Sequence, residues 1–200
     1  LPAPRASFAP ERGRCALLIH DMQRYFCAAY GADALDRPDS LLSQVTAKIA
    51  ALAVAARAAG IPVVYTAQQG NQFLPDRGLQ ANLWGKGMSA IPEHEDIIAP
   101  LGPEAGDIRL VKHRYSAFQR SNLETLMRAR GRDQLLVTGI YAHIGCLATA
   151  AEAFQLDIEP FFVADALADF SRDKHLMALE WVADCVGVPL TSAQALEAMA

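Results

Sequence analysis

Short apolar runs alternate along this chain with segments of helical period, and that alternation limits its possible folds more than any other feature. Cys15–His20 reads as a first strand, Ile61–Thr66 as a second and Arg109–Lys112 as a third. Gln134–Gly139, Glu159–Ala164 and Val186–Leu190 read as the remaining three. Strands apolar at successive residues suit a parallel sheet buried on both faces, with helices as the covering layers. The intervening segments supply those helices. Leu41, Leu42, Val45, Ile49, Leu52 and Ala56 recur at steps of three and four, which predicts a helix over Ser40–Ala59. Asp39 or Ser40 caps it, and Gly60 with Pro62 ends it. Ser121-Asn-Leu-Glu124 reads as a capping box opening a helix that runs to Gly131. Further helices are expected from near Gly145, after a Ser171 cap, and from Ser192 onward. The expectation is an α/β fold: an open, mainly parallel six-stranded sheet with helices on both faces, Rossmann-like in architecture. Residues 14–200 form one domain and residues 1–13 an N-terminal arm.

The 200 residues, 52% hydrophobic, suffice for one large core. A formal net charge of -4, with no basic stripe, gives no footprint for nucleic acid or lipid headgroups. No unbroken apolar run approaches the length of a membrane span. Leu1–Arg14 carries three prolines and three arginines without an apolar stretch, so it reads as an extended arm rather than a secretory signal. The expected location is cytoplasmic, where Cys15, Cys27, Cys146 and Cys185 are free thiols. Among the five histidines no pair has metal-ligand spacing. Asp169, Asp173 and His175 lie close in sequence, but Ser171-Arg-Asp is better explained as a charged first helical turn. No metal and no cofactor are expected. Trp84, Phe118 and Phe170, taken singly, read as core.

Ligands of open α/β sheets bind beyond the carboxyl ends of the strands. The residues to watch are therefore His20-Asp21, Ala67-Gln68, Lys112 to Tyr115 and Tyr141 to Gly145. Topology alone brings an acid, an amide, a cation and a glycine loop to one edge. Burial would raise the pKa of Asp21 and suit it to donate a proton, whereas a nearby Lys112 would lower it. The alternative is that Asp21 only caps a loop turn. Gly139-Ile-Tyr-Ala-His-Ile-Gly145 lacks dinucleotide-binding spacing, and its backbone amides are candidates to face an anion at the start of a helix. The long irregular stretch from Ala67 to Pro92 reads as a functional loop.

Longer motifs add a resemblance. His20-Asp-Met-Gln-Arg-Tyr-Phe26, Tyr65-Thr-Ala-Gln68, Trp84-Gly-Lys-Gly87 and Lys112-His-Arg-Tyr-Ser-Ala-Phe118 occur in order, followed by Gly139-Ile-Tyr-Ala-His-Ile-Gly-Cys146 and Phe162 to Ser171. From about Arg14 to Leu196 the chain resembles the bacterial isochorismatases of siderophore synthesis. A close sister group hydrolyses 2-amino-2-deoxyisochorismate in phenazine synthesis. Both belong to a superfamily of cysteine hydrolases that use an Asp, a Lys and a nucleophilic Cys.

Aligned on Gly139, the superfamily nucleophile position falls on Gly145, and glycine cannot attack a carbonyl. The resemblance therefore implies hydrolysis of the enolpyruvyl ether of isochorismate by general-acid protonation, with no covalent intermediate. Asp21 would be the acid, and Lys112 would orient it or hold the ether oxygen. Gln68, Arg77 and Tyr141 would bind the carboxylates and hydroxyl of the substrate, with Tyr115 a further contact. Gly145 would leave room for the enolpyruvyl group, and Trp84 and Phe26 would wall the pocket. A non-proline cis peptide is implied at Ile140–Tyr141. His113 stands where these enzymes usually carry Trp and is expected to alter the pocket rim. The absence of His between His20 and His94 disfavours the metal-binding nicotinamidase branch. The partners implied are a small-molecule substrate, a second copy of the chain and an aryl carrier protein in trans. An amidohydrolase using Cys146 is the alternative from a different class.

Overall fold

The computed structural model describes residues 1–200. Six strands form one parallel sheet: β1 (Cys15–His20), β2 (Val63–Ala67), β3 (Ile108–Val111), β4 (Gln134–Gly139), β5 (Glu159–Leu167) and β6 (Val188–Leu190). Their order across the sheet is β3-β2-β1-β4-β5-β6. The chain winds outward from β1 in one direction and from β4 in the other, so the topological switch point lies between these two strands. A crevice is expected beyond their carboxyl ends.

Side chains on a strand alternate between faces, and the two faces hold separate cores. Leu17, Ile19, Leu136, Phe161 and Val163 pack with helices α1 (Leu41–Ala58) and α5 (Ser192–Met199). Ala16, Leu18, Leu135, Val137 and Phe162 point the other way. There they pack with α2 (Leu123–Ala129), α3 (Leu147–Gln155) and α4 (Arg172–Cys185). By length and hydropathy α1 could cross a bilayer, yet Leu42, Val45, Ile49, Leu52 and Ala56 are packed into the core. The N-terminal arm is tied down as well. Phe8 packs edge-on against Phe161, and the Gln134 side chain donates to the Ala9 carbonyl and accepts from the Glu11 amide.

The expected elements all form, with local corrections. Strand β5 continues three residues past the expected Ala164, to Leu167, with a register irregularity against β4 between Val137 and Gly139. The long loop after β2 contains helical turns at Leu74–Arg77, Leu79–Trp84 and Pro92–Glu95. Ser40 caps α1, accepting from the Ser43 amide. The capping box at Ser121 does not form, because its hydroxyl is donated to the Ala117 carbonyl and accepts from Leu123 instead. Glu124 points along α2 toward Arg128.

Ser40→Ala should cost about 1 kcal/mol by removing the cap of α1. A thermal melt should then show a Tm lowered by roughly 3 °C.

Candidate active site

Asp21 follows β1 directly, in a left-handed backbone conformation (φ 50°) that few non-glycine residues adopt. The strand thus ends abruptly, and the carboxylate faces the crevice at the switch point. Its Oδ1 accepts from the Thr66 hydroxyl at 2.7 Å, and Oδ2 lies 2.9 Å from Lys112 Nζ. Both charged residues are buried, 5% and 3% exposed. Three adjacent strands meet here: β1 supplies Asp21, β2 ends in Thr66-Ala67, and Lys112 follows β3.

The opposing influences on Asp21 resolve in one direction. Burial pushes its carboxyl up, but the charge of His20 where that ring is protonated and the charge of Lys112, with hydrogen bonds from Thr66 and Lys112, outweigh burial and hold it below the ordinary carboxylate range. Asp21 is therefore ionised at neutral pH in the free protein. Burial lowers the pKa of His20, the first influence on it, so that imidazole is neutral.

Around this pair lies a cavity of about 210 Å³, lined by Asp21, Phe26, Gln68, Arg77, Trp84, Lys112, Tyr115, Tyr141 and Gly145. All nine residues singled out in the sequence therefore converge on one space. Gln68 is presented by Gln23, which is fully buried. The Gln23 side chain accepts from the Gln68 amide at 2.7 Å and donates to the Gln68 carbonyl at 2.8 Å, leaving the Gln68 side chain free to face the cavity. Arg77 is buried, and its Nε donates to the Gly85 carbonyl. A Cβ at Gly87 would lie 2.7 Å from an Arg77 terminal nitrogen, so the second glycine of Trp84-Gly-Lys-Gly87 admits the guanidinium. No carboxylate pairs with Arg77, and the cavity's one acid, Asp21, is already engaged by Lys112. An anion-binding group is thereby left uncompensated at the cavity wall.

Aromatic groups close the space. The Tyr141 ring stacks on Phe170 at 4.1 Å, and its hydroxyl donates to the Phe26 carbonyl. Trp84 donates from Nε1 to the Tyr115 hydroxyl at 2.7 Å. The isolated reading of Trp84 and Phe170 as core is corrected: both are about half exposed and line the cavity, whereas Phe118 is core. His113 does not line the cavity. The peptide bond Ile140–Tyr141 is cis.

The turn after β4 differs from expectation. Residues Ala142–Cys146 form a π-helical turn, and α3 begins only at Leu147. The amides of Ala142, His143, Ile144 and Cys146 are taken up by partners within the protein. Ala142 donates to the Ala168 carbonyl, His143 to the Asp169 carboxylate, and Ile144 and Cys146 to the Tyr141 carbonyl. Asp169, buried, also accepts from His143 Nδ1 at 2.6 Å and the Phe170 amide, and so fastens this turn to the end of β5. Cys146 is fully buried among Leu18, Val137 and Ala150, away from the cavity lining. Burial raises its thiol well above the ordinary range, the reverse of what a nucleophile needs.

His20, expected at this edge from its place at the end of β1, lines the cavity, whereas Gln23, Thr66 and Asp169 carry no site role in the sequence reading. These three are polar residues in or beside strands whose neighbours are apolar, a signal that could have found them. No three His, Cys, Asp or Glu side chains cluster as a metal site would require.

Residues 15–194 match the isochorismatase domain. The chain is 52% identical over 183 residues to the isochorismatase of Bacillus subtilis (strain 168), an overlap covering 92% of this chain and 57% of that protein. It is 43% identical over 192 residues to the phenazine biosynthesis protein PhzD of Pseudomonas fluorescens, covering 96% of this chain and 89% of that one. Among solved structures, a cysteine hydrolase from Pseudomonas syringae pv. phaseolicola 1448A superposes with a TM-score of 0.83 at 23% identity, covering 100% of this chain and 97% of that one.

Lys112→Met should leave the Asp21 carboxylate buried without its cation, at a cost of about 3–5 kcal/mol near neutral pH. In the parent, the depressed pKa contributes stability above the unfolded carboxylate pKa, and this is lost as pH falls through the folded value. In the variant burial acts with less opposition and Asp21 takes up a proton at higher pH. Urea unfolding from neutral pH downward should therefore show the deficit shrinking as acidity increases.

Proposed function

The chain belongs to the isochorismatase family, and on that premise we propose that it hydrolyses the enolpyruvyl ether of isochorismate to pyruvate and 2,3-dihydro-2,3-dihydroxybenzoate. The observation that carries this reading is the Asp21–Lys112 pair in a cavity whose remaining cation, Arg77, has no carboxylate partner. A dicarboxylate suits that charge balance, with Arg77 as the natural clamp for one of its carboxylates.

The chemistry needs one acid. Asp21 delivers its proton to the terminal methylene carbon, whose π electrons form the new C–H bond and leave an oxocarbenium ion at the ether-bearing carbon. Water adds to that carbon and returns a proton to the Asp21 carboxylate. The hemiketal then collapses: the C–O bond to the ring breaks as the carbonyl of pyruvate forms, and the hydroxyl proton passes to the departing ring oxygen, which leaves as an alcohol. Asp21 must hold a proton at the start, although Lys112 keeps it ionised in the free protein. Two substrate carboxylates arriving in a closed cavity supply the missing influence, because they compete for the Lys112 ammonium and place like charge beside Asp21. The two expected roles of Lys112 become successive: it orients Asp21 before binding and turns toward substrate oxygen afterwards.

The 2-amino analogue is the second reading, favoured by the near full-length match to the phenazine protein. Against it stands the lack of a free carboxylate for a ring ammonium. The chain spans 57% of the length of its B. subtilis relative, so the activity of a longer protein is part of the proposal. A homo-oligomeric assembly and an aryl carrier partner in trans belong to it too, and rest on the siderophore-type motifs.

Pyruvate release from isochorismate and from its 2-amino analogue, assayed side by side, tests the reading. Asp21→Asn should reduce release at least about 1,000-fold, while Cys146→Ala keeps activity within about threefold. The opposite pattern would install Cys146 as nucleophile. Binding of a non-hydrolysable dicarboxylate analogue at pH 7 should also take up about one proton per site, an uptake absent in Asp21→Asn. Calorimetry in buffers of different ionisation enthalpy measures it.

A further inference from the structure

Gly145 borders the cavity, but the direction in which it would carry a side chain is already occupied. A Cβ built there would lie 2.2 Å from Cε1 and 2.8 Å from Nε2 of His20, and 3.1 Å from the Tyr115 carbonyl oxygen. The His20 ring is poorly placed to yield. Its Nδ1 donates to the Ile140 carbonyl at 2.7 Å, and the residue is 1% exposed at the carboxyl end of β1. Its ring lies between the Ile140 and Tyr115 carbonyls, with Asp21 Oδ2 3.8 Å from Nδ1. The same ring lines the cavity beside Asp21 and Gly145. The volume that would belong to a side chain at the superfamily's nucleophile position is thus filled from a different strand.

We propose that His20 is a specificity-determining residue: its imidazole occupies the place of a side chain at position 145 and so holds this site to hydrolysis without covalent attachment. The inference deepens the vinyl-ether reading and rests on it. Glycine at 145 and histidine at 20 are one device, since a nucleophile cannot be installed at 145 by changing that residue alone. Removing the imidazole makes room for a thiol at the edge of the cavity that already holds Lys112 and Asp21.

The test compares the parent, Gly145→Cys, His20→Ala and His20→Ala/Gly145→Cys. Thermal unfolding reports the steric conflict, and iodoacetamide alkylation with peptide mass mapping reports the new thiol separately from the four native cysteines. Gly145→Cys in the parent background should lower Tm by roughly 5 °C, as overpacking at a rigid site does. The same change in the His20→Ala background should cost less than about half of that, and its thiol should alkylate at least roughly tenfold faster than in the single variant. Equal Tm losses in both backgrounds, or a single variant with the parent's Tm and a readily alkylated thiol, overturn the proposal. If Gly145→Cys fails to fold, Gly145→Ala in the two backgrounds measures the same coupling, since alanine adds only the Cβ. Pyruvate release by the parent is scored separately: its absence overturns the substrate reading, while the Tm coupling still decides whether His20 and position 145 share one volume.

Discussion

Much of the site depends on one buried ion pair. Bringing Asp21 and Lys112 out of water costs several kcal/mol per charge, and their attraction repays that only with good geometry and further hydrogen bonds. The fold supplies both. Parallel strands β1, β2 and β3 lie side by side, so residues just past their ends reach one another, and Thr66 on the middle strand donates to the remaining oxygen of Asp21. A pair of this kind contributes little net stability compared with apolar packing, and its retention at the switch point is better explained by chemistry. The left-handed backbone at Asp21 points the same way, since strain at a strand end persists where the surrounding structure requires it.

The pair also sets the state in which the protein waits. An acid catalyst held as its conjugate base is inactive until something displaces the cation or brings competing negative charge. A substrate with two carboxylates does both, and a neutral molecule of similar shape does neither. On the proposed reading, selection for a dianion is built into protonation as well as into the Arg77 clamp. In that reading the uncompensated guanidinium would attract the carboxylates, and their arrival beside Lys112 would change the proton affinity of Asp21.

Much of this was legible in the residues. β4 lies where its apolar run ends at Gly139, and β1 where its run meets Asp21, because strands buried on both faces cannot include a charged residue. Ser40 caps α1 as its place before the helical period implies, accepting from the Ser43 amide while its own hydroxyl donates to the Ala34 carbonyl. Ser121 fails as a capping box because its hydroxyl accepts from Leu123, two residues on, and Glu124 turns toward Arg128, a choice of partners that the motif does not encode. The amides of the turn after β4 were misread for a similar reason: their partners, the Ala168 carbonyl and Asp169, arrive from the end of β5. The direction of the Asp21 pKa could not be read either. It depends on a 2.9 Å separation between residues ninety-one apart in sequence, and spacing along a chain carries no such distance.

Position 145 shows where reading by residue type stops. A glycine in place of a nucleophile invites the conclusion that a reactive group was deleted and its space given to the substrate. Volume is conserved in a close-packed interior, however, and a deletion that leaves a gap is costly unless something fills it. Here the filling group is the imidazole of His20, neutral through burial and hydrogen-bonded to the Ile140 carbonyl. The bare backbone at 145 and the ring at 20 are therefore a single structural fact shared by the turn after β4 and the end of β1. Reversing the chemistry of such a site requires reversing the packing first, because a thiol at 145 and the ring of His20 cannot share one space.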